Sequence, residues 1–226
     1  MPFLPRGLRK ARPPKRLPRP PRRSNAVPYD GFEKDARERG YRSPAGVDEA
    51  GRGPLAGPVI AAAVILPPGY ENPAIRDSKT LSPARRERLF AVIAADSSAY
   101  AVAAATPEEI DELNILRASL LAMRRAVEAL AVPPDFLYVD GIHKVPCGVP
   151  QEALVRGDSR CLSVAAASIL AKVSRDRMMA EYDRLYPGYG LSAHKGYPTP
   201  DHFAALRRLG PSPIHRRTFR GVRTDP

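Results

Sequence analysis

The chain has 226 residues, of which 26 are proline, and carries a formal net charge of +12 at pH 7. This length is sufficient for one main domain with a sizeable core, and the positive charge favours a polyanionic partner such as nucleic acid. The longest apolar runs are strand-sized and no signal-peptide core follows the basic N-terminus, which argues against membrane and secreted classes and predicts a soluble, cytoplasmic protein.

Residues 1–28 differ in composition from the rest of the chain. They contain nine Lys or Arg, eight prolines and no Asp or Glu, so the remaining residues carry a net charge of only +3. Such a composition cannot build a core and favours extended, disordered conformations. A charged connector with helical character follows at 30–42, which gives a predicted N-terminal extension of residues 1–43. Composition leaves open whether this extension binds nucleic acid, is only solvated, or results from an upstream start codon.

The main domain is predicted to span residues 44–220 and to begin with two apolar strands. A helix then follows Ser82, which has the pattern of an N-cap with Pro83 in the first helical position. Thr106 precedes a further helix, and a run of strong helical periodicity comes after it. The elements predicted in this half are strands at Ala45–Glu49, Pro58–Leu66 and Ala99–Ala105 and helices at Arg85–Ala94 and Ile115–Leu130.

The second half of the domain combines another strand with longer helices. The predicted elements are a strand at Phe136–Asp140, a long helix from Leu162 to Tyr186, an ordered loop at Pro187–Pro200 and a short helix at Asp201–Leu209, before a tail of residues 221–226. Cys147 and Cys161 are too few for a disulfide framework, and free thiols are the favoured interpretation. The order of elements predicts an α/β fold, with a mixed β-sheet flanked by helices and a C-terminal helical segment.

Acidic residues occur where the predicted strands end. Asp48-Glu49 closes the first strand, Asp140 closes a later one, and Asp158 follows a glycine. Clustered carboxylates are costly unless a cation lies between them, and carboxylates that hold two Mg²⁺ or Mn²⁺ ions carry out phosphodiester hydrolysis. Because neighbours in a strand point to opposite sides, Asp48 and Glu49 can serve one site only if the strand ends or bulges there. A lone Asp-Glu pair would more often cap a turn, so the whole pattern carries this hypothesis.

Basic and glycine-rich segments provide candidates for nucleic-acid contacts. Gly51-Arg52-Gly53 places one guanidinium between two residues without side chains, so backbone amides can approach a sugar-phosphate while Arg52 contacts phosphate. Such an approach can also sense a ribose 2′-hydroxyl, which distinguishes RNA from DNA. Lys79, in a polar turn before a helix, is a further phosphate candidate. The basic pairs His194-Lys195 and Arg216-Arg217 could clamp a nucleic-acid backbone, although such runs are more often solvated surface.

Several segments resemble, in the same order, the motifs of type 2 ribonuclease H, the bacterial ribonuclease HII family. The resemblance covers about Gly46 to Arg217, nearly all of the chain outside the extension, and depends on the ordered set more than on any single segment. The first segment reads VDEAGRGPLAGPV at Val47–Val59. The later ones are Asp77-Ser78-Lys79, Asp140-Gly141, Gly157-Asp158, Ala166–Val173, His194–Thr199 and Ser212–Arg217.

The resemblance implies an RNase H-like fold and a metal-dependent endoribonuclease. Its substrates would be RNA–DNA hybrids and duplex DNA with an embedded ribonucleotide, cut 5′ of the ribonucleotide to leave a 3′-hydroxyl and a 5′-phosphate. Asp48, Glu49, Asp140 and Asp158 would be the active-site carboxylates, the first three as ligands of two Mn²⁺ or Mg²⁺ ions. The turn Gly51–Gly53 would read the ribose 2′-hydroxyl, and Tyr197 would pack against the next deoxyribose.

Three alternatives and one expectation about assembly accompany this interpretation. Asp176 competes with Asp158 as the fourth carboxylate, although its place in a helix beside Arg175 and Arg177 favours an ion pair. The sister type, ribonuclease HIII, carries a folded N-terminal substrate-binding domain, which the extension does not resemble. A catalytically silent RNA–DNA binding module would gain nothing from four carboxylates beside phosphate. A monomer is expected, and a replication clamp remains an open partner because residues 221–226 show no clear clamp-binding peptide.

Overall fold

The computed structural model describes residues 29, 31–75 and 78–222. Most of the predicted extension, namely residues 1–28 and Asp30, therefore lies outside the described residues. The same holds for Arg76-Asp77, which include the first residue of the Asp77-Ser78-Lys79 segment, and for residues 223–226 of the tail. Within the described residues, no helix is both long enough and apolar enough to cross a membrane.

The centre of the fold is a five-stranded sheet with the strand order β3-β2-β1-β4-β5. β1 pairs antiparallel with β2, and β2 pairs antiparallel with β3, whereas β1 with β4 and β4 with β5 are parallel. The predicted mixed sheet is therefore confirmed, with β1 at its centre. The strands are β1 (Pro44–Ala50), β2 (Val59–Ile65), β3 (Ala99–Ala105), β4 (Phe136–Asp140) and β5 (Gln151–Leu154).

Eight helices surround the sheet within the described residues. Their ranges are α1 (Phe32–Glu38), α2 (Pro83–Asp96), α3 (Pro107–Leu113), α4 (Ile115–Glu128), α5 (Gly157–Arg160), α6 (Leu162–Leu185), α7 (Leu191–His194) and α8 (Pro200–Leu209). The predicted cap is confirmed, since the Ser82 hydroxyl accepts a hydrogen bond from the Arg85 amide at 3.4 Å. Thr106 and Glu109 form a reciprocal capping box at the start of α3. A cap of this kind stabilises a helix by about 1 kcal/mol.

The two faces of β1 pack against different helices. On one face Val47 belongs to a buried cluster with Ala118 and Ala122 of α4. On the other face Gly46 lies against α6, where a Cβ at this position would stand 2.2 Å from the backbone carbon of Ser163. Only a glycine permits this approach, so α6 lies directly on the strand that carries the first acidic pair. The alanine-rich start of α6 is fully buried for the same reason.

α1 belongs to the predicted extension in sequence but packs on the domain. Ala36 is fully buried beside Phe136 and Tyr138, and the Tyr138 hydroxyl donates to the Phe32 carbonyl at 2.8 Å. One carboxylate oxygen of Glu33 accepts from the Ser163 amide at 2.6 Å, in the first turn of α6. Because a carboxylate satisfies free amides at a helix start and complements the helix dipole, Glu33 ties α1 to the longest helix.

The sequence analysis missed three short elements. β5, α5 and α7 contain four residues each, too few to show a strand or helix period. β5 and α5 lie between the predicted strand Phe136–Asp140 and the predicted helix that begins at Leu162. β5 extends the parallel half of the sheet, and α5 begins where β5 has just ended. Both cysteines are free thiols, as expected.

The C-terminal helical segment is confirmed, and it covers the turn that follows β1. α8 and the residues after it share a buried cluster with that turn, which includes Leu55, Ala56, Leu206 and Ile214. Ala56 and His215 form an isolated antiparallel bridge. The Leu55 amide donates to the Gly196 carbonyl at 2.8 Å. The turn after the first acidic pair is thereby held between two distant parts of the chain.

Candidate active site

The acidic residues of β1 and β4 meet at one edge of the sheet. The parallel register pairs Val47 with Val139, so the residues that follow, Asp48 and Asp140, lie side by side on neighbouring strands. Gly141, with φ of +94°, turns the chain away directly after Asp140. A left-handed φ of this kind favours glycine, which explains the Asp-Gly pair. Parallel pairing therefore brings together two carboxylates that are far apart in sequence.

Asp48 is buried on the α6 face of β1. Its side chain is 5% exposed, and it accepts hydrogen bonds from the Ser168 side chain of α6 and from the Glu49 amide at 2.7 Å. Burial raises the pKa of Asp48 well above its ordinary value, and the charges of Glu49 and Asp140 raise it further. The two hydrogen bonds offset only part of this, so ionisation of Asp48 is costly without a nearby cation.

Glu49 lies on the opposite face of β1, beside α4. It lines a cavity of about 190 Å³ together with Leu116, Leu120 and Asp140. Burial raises the pKa of Glu49, although its ion pair with Arg52 at 3.3 Å lowers it again in part. Its second carboxylate oxygen, Oε2, is buried and has no hydrogen-bond partner in the described part of the chain. A buried carboxylate oxygen without a partner is unfavourable unless something binds it.

β1 ends at Ala50, directly after the acidic pair, and the chain turns at Gly51 with φ of +101°, as expected from the Ala50-Gly51 segment. No bulge separates Asp48 from Glu49. β1 keeps a regular register through Ala50, with Asp48 opposite Ala62 and Glu49 opposite Ala61. The two carboxylates therefore point to opposite faces, as alternation in a strand requires. Both nevertheless interact electrostatically with Asp140, whose charge raises the pKa of each, and the charge of Glu49 raises the pKa of Asp48.

Asp140 and Asp158 are joined through the start of α5. One carboxylate oxygen of Asp140 accepts from the Gly157 amide at 2.7 Å and from the Asp158 amide at 3.4 Å. Burial raises the pKa of Asp140, and the charge of Asp158 raises it further. Asp158 itself is only 5% exposed and pairs with Lys79 at 3.2 Å. The structure thus brings all four predicted carboxylates into one electrostatic group.

Asp176 lies in structural ion pairs, as expected from its place in a helix. Its partners are Lys172 at 2.6 Å, one turn earlier on α6, and Arg86 of α2 at 3.7 Å. The expected structural ion pair is therefore confirmed, while Arg177 pairs with Glu87 and Arg175 donates to backbone carbonyls. Asp158, by contrast, contributes directly to the raised pKa of Asp140.

The donor set fits hard divalent cations, although the side chains are not drawn together. Among residues 29, 31–75 and 78–222, no three Asp, Glu, His or Cys side chains form a ready-made metal-binding group. Instead Arg52 and Lys79 provide the positive charge at Glu49 and Asp158. Carboxylate oxygens, including the unpartnered Glu49 Oε2, are suitable ligands for Mg²⁺ or Mn²⁺. A cation bound here would offset the negative charge that raises the pKa values of Asp48, Glu49 and Asp140.

The glycine-rich turn and Tyr197 lie next to each other. A Cβ on Gly53 would stand 3.6 Å from Cε1 of Tyr197, whose side chain is 43% exposed. The preceding Gly51 has φ of +101°, and a Cβ there would approach Arg175 to 2.1 Å. Because Arg52 on this turn pairs with Glu49, the turn Gly51–Gly53 adjoins the carboxylate edge, and Tyr197 lies against the turn.

Buried basic residues that hold this region were not found from sequence. Arg216 was a candidate for a surface backbone clamp, which is wrong, since its side chain is fully buried. His194 is likewise structural, because it stacks on His202 at 4.4 Å between ring centroids and bonds the Tyr189 carbonyl. Short basic runs give no signal for such burial, since the same letters occur on solvated surfaces.

Two histidines, His215 and His202, form a directional hydrogen-bond chain beneath Tyr197. His215 Nδ1 accepts from the Ser212 amide at 3.0 Å, so its Nε2 carries the proton donated to His202 Nε2, also at 3.0 Å. His202 Nδ1 then donates to the Tyr197 carbonyl at 2.9 Å. Burial lowers the pKa of His202 and lowers that of His215 to about 4, so both rings are neutral at pH 7. His194 completes the group by stacking.

The chain is similar to ribonucleases of one family. The family model described as ribonuclease HII matches residues 45–222. Ribonuclease HII of Geobacter sulfurreducens is 61% identical over 192 residues, which cover 85% of this chain and 88% of the relative.

Solved structures show the same similarity at the level of the fold. The crystal structure of ribonuclease H2 from Pyrococcus horikoshii aligns with a TM-score of 0.68 and 30% identity, over 80% of this chain and 95% of that one. RNase HII from Archaeoglobus fulgidus, solved in a PCNA:RNase HII complex, aligns with a TM-score of 0.61 and 28% identity, over 74% of this chain and 88% of that one. The predicted RNase H-like fold is confirmed.

Proposed function

The chain belongs to the ribonuclease HII family, a family of metal-dependent endoribonucleases, and we propose that it nicks duplex DNA on the 5′ side of a single embedded ribonucleotide. The same site would hydrolyse the RNA strand of RNA–DNA hybrids. Products would carry a 3′-hydroxyl and a 5′-phosphate. This substrate pair places the enzyme in ribonucleotide removal during DNA replication and repair.

The observation that carries the proposal is the carboxylate edge beside the glycine-rich turn. Burial raises the pKa of Asp48, Glu49 and Asp140, and the charge of Asp140 raises the pKa values of Asp48 and Glu49 further. Glu49 Oε2 is buried without a partner among the described residues. A binding module would gain nothing from such charges beside phosphate, because they repel the ligand. A hydrolase that binds divalent cations needs them.

In the proposed reaction, the carboxylates supply geometry more than proton transfer. Asp48, Glu49 and Asp140 would hold two divalent ions, Mn²⁺ or Mg²⁺, and Asp158 would complete the acidic set. When bound, such ions activate water for attack on phosphorus and offset charge at the leaving oxygen. Water adds to phosphorus, the bond to the O3′ of the preceding nucleotide breaks, and that oxygen takes a proton. Lys79, beside Asp158, would contact a phosphate of the substrate strand.

Ribose recognition would come from the turn and the tyrosine together. The amides of Gly51–Gly53 can approach the 2′-hydroxyl because the glycines leave space, while Arg52 is half exposed and can reach phosphate. Tyr197 stands against Gly53 and would pack on the deoxyribose that follows. An additional hydroxyl at that sugar would disturb the packing, so the pair would mark the junction from RNA to DNA.

The test uses a labelled DNA duplex with one embedded ribonucleotide, incubated with Mg²⁺, Mn²⁺ or EDTA, and maps the cut to the nucleotide. We expect a metal-dependent nick directly 5′ of the ribonucleotide. Cleavage of long hybrids alone would contradict the single-ribonucleotide activity. If neither substrate is cleaved, the proposed endoribonuclease activity is contradicted and a nucleic-acid-binding module is favoured instead.

Further expectations concern assembly and location. The protein is proposed to act as a monomer in the cytoplasm. A replication clamp is a second proposed partner, supported by the Archaeoglobus fulgidus relative, which was solved with PCNA. Gel filtration of the protein alone and with purified clamp measures both, since a mixed peak would indicate a complex and an unshifted one would contradict it.

A further inference from the structure

Two arginine side chains are buried under the turn that follows β1. Arg175 of α6 is 1% exposed and Arg216 is 0% exposed. Neither forms an ion pair with a carboxylate in the described part of the chain, and the charge of Arg175 lowers the pKa of Arg216. Burying two like charges without a counterion is costly, so their placement calls for a specific reason.

Arg216 binds the carbonyls of the turn from beneath. Its guanidinium donates to Gly51 at 2.6 Å, to Arg52 at 3.0 Å and to Pro54 at 2.7 Å, and its Nε donates to Gly57 at 2.9 Å. All four acceptors are backbone oxygens of one seven-residue segment. A planar, five-donor side chain can satisfy such a set, whereas lysine cannot.

Arg175 extends this support to the segment that carries Tyr197. It donates to the carbonyls of Ala56 at 3.0 Å, Pro58 at 3.2 Å and Lys195 at 3.0 Å. Lys195 lies two residues before Tyr197, so one side chain links the glycine-rich turn to the tyrosine segment. Burial lowers the pKa of Arg175 to about 10 and that of Arg216 to about 9, so both remain charged at pH 7.

The consequence for the turn is an orientation of its peptide groups. Carbonyls of residues 51, 52 and 54 point inward to Arg216, so the peptide units turn their N–H groups the other way. In the described part of the chain, the amides of Arg52 and Gly53 donate to no protein acceptor. These are free donors on a rigid support, as recognition of a small polar group requires.

We propose that Arg216, assisted by Arg175, is a positioning residue for ribose specificity, because it holds the turn in the conformation that presents the Arg52 and Gly53 amides to a 2′-hydroxyl. This inference rests on the proposed function for its ligand. It assigns no contact between Arg216 and substrate. The two guanidiniums act through the backbone above them, and their charge is directed at carbonyl oxygens.

The experiment measures binding in an Asp140→Asn background, so that turnover does not interfere. Kd is determined with Mg²⁺ for a duplex carrying one ribonucleotide and for the identical all-DNA duplex. Arg216→Lys and Arg216→Met are compared with Arg88→Met, a matched change on the exposed surface of α2. We expect the Arg216 variants to reduce the ribonucleotide preference about tenfold, equivalent to about 1.4 kcal/mol. Affinity for all-DNA duplex and the preference of Arg88→Met should remain within about twofold.

A purely structural role would weaken both duplexes alike, so an unchanged preference in folded Arg216→Lys overturns the proposal. Hydrogen exchange provides a second measurement that needs no substrate. In Arg216→Lys the amides of Leu55 and Gly57 should exchange faster while β2 keeps its protection, and equal exchange overturns the positioning role even if Arg216→Met fails to fold. A parent protein without any ribonucleotide preference would contradict the proposed function. Hydrogen exchange would then still test whether Arg216 positions the turn.

Discussion

Asp48 and Glu49 show how the site is built at the scale of single residues. They are neighbours in the chain, yet one is enclosed by α6 and the other faces the cavity beside α4. Each therefore has its own surroundings and its own compensating group, a serine hydroxyl for Asp48 and a guanidinium for Glu49. A divalent ion bound by both carboxylates would have to lie beyond the end of β1, where Asp140 also ends its strand.

The fourth carboxylate can be assigned by matched substitutions. Asp158→Asn should lower kcat for a single-ribonucleotide duplex by about a hundredfold, because a charge beside the reacting phosphate is lost. Asp176→Asn breaks ion pairs with Lys172 and Arg86 and should change kcat less than about threefold. Steady-state kinetics of both variants, with circular dichroism as a control for folding, decides between them. A larger loss in Asp176→Asn would reverse the assignment.

The buried carboxylates also predict a pH dependence of stability. The pKa of Asp48 is raised on folding, so the folded state holds more protons than the unfolded state above about pH 3.9, and stability falls as pH rises. Without divalent cations, Asp48→Asn should therefore melt at a higher temperature than the parent at pH 8. The gap should shrink as the pH falls toward and below about 3.9, where the unfolded state of the parent takes up its proton as well.

Differential scanning calorimetry in EDTA measures this gap. The exposed Asp35→Asn serves as the control, because it removes no buried charge and should show a constant difference from the parent. A gap for Asp48→Asn that grows on acidification would mean that the raised pKa is wrong.

At the scale of elements, sequence and structure agree where an element is long and diverge where it is short. β1 and α6 could be predicted because each is long enough to show its apolar pattern. Asp48, Glu49 and Asp140 could be identified as candidates because they stand at the ends of apolar strands. β5 and α5 could not be predicted, since four residues show no period, although α5 is what presents Asp158 to Asp140. Arg216 was misread for a related reason. Its burial depends on Leu55 and Gly57, more than 150 positions earlier, and only the folded topology brings them together.

α1 provides a prediction at this scale. Glu33→Ala removes the carboxylate that caps α6 and should lower the free energy of unfolding by about 1–2 kcal/mol. Glu38→Ala is the matched control on the same helix, because its pair with Lys34 is exposed and contributes little. Urea unfolding monitored by circular dichroism measures both. Equal effects of the two substitutions would show that the contact with Ser163 is not a cap.

At the scale of the whole molecule, charge is divided between two regions. Residues 1–28 carry nine of the basic residues and no acidic one, while the remainder is close to neutral with a strongly acidic edge. A polyanion would be attracted by the first region without regard to sequence, and would be selected by the second. Because α1 begins at Phe32, the two regions can be separated genetically without disturbing the packed domain.

Deletion of residues 1–28 should therefore weaken duplex binding and reduce its salt dependence, while the melting temperature stays unchanged. The slope of log Kd against log salt concentration, measured between 50 and 200 mM as rough limits, reports how many phosphates the deleted residues neutralise. Deletion of residues 1–43 should in addition lower the melting temperature, because it removes Glu33 and Ala36. An unchanged slope would mean that the N-terminal residues do not bind phosphate.

The histidine chain under Tyr197 has one further consequence. Each of its hydrogens is already committed in one direction, from Ser212 through His215 and His202 to the Tyr197 carbonyl. An extra proton on His215 would go to Nδ1 and put two N–H groups face to face at the Ser212 amide, so the chain would open at that point. The segment that carries Tyr197 is thus held in place by hydrogen bonds in which each donor and acceptor is fixed. Near pH 4, where His215 takes up a proton, this hydrogen-bond chain should break before the β-sheet unfolds.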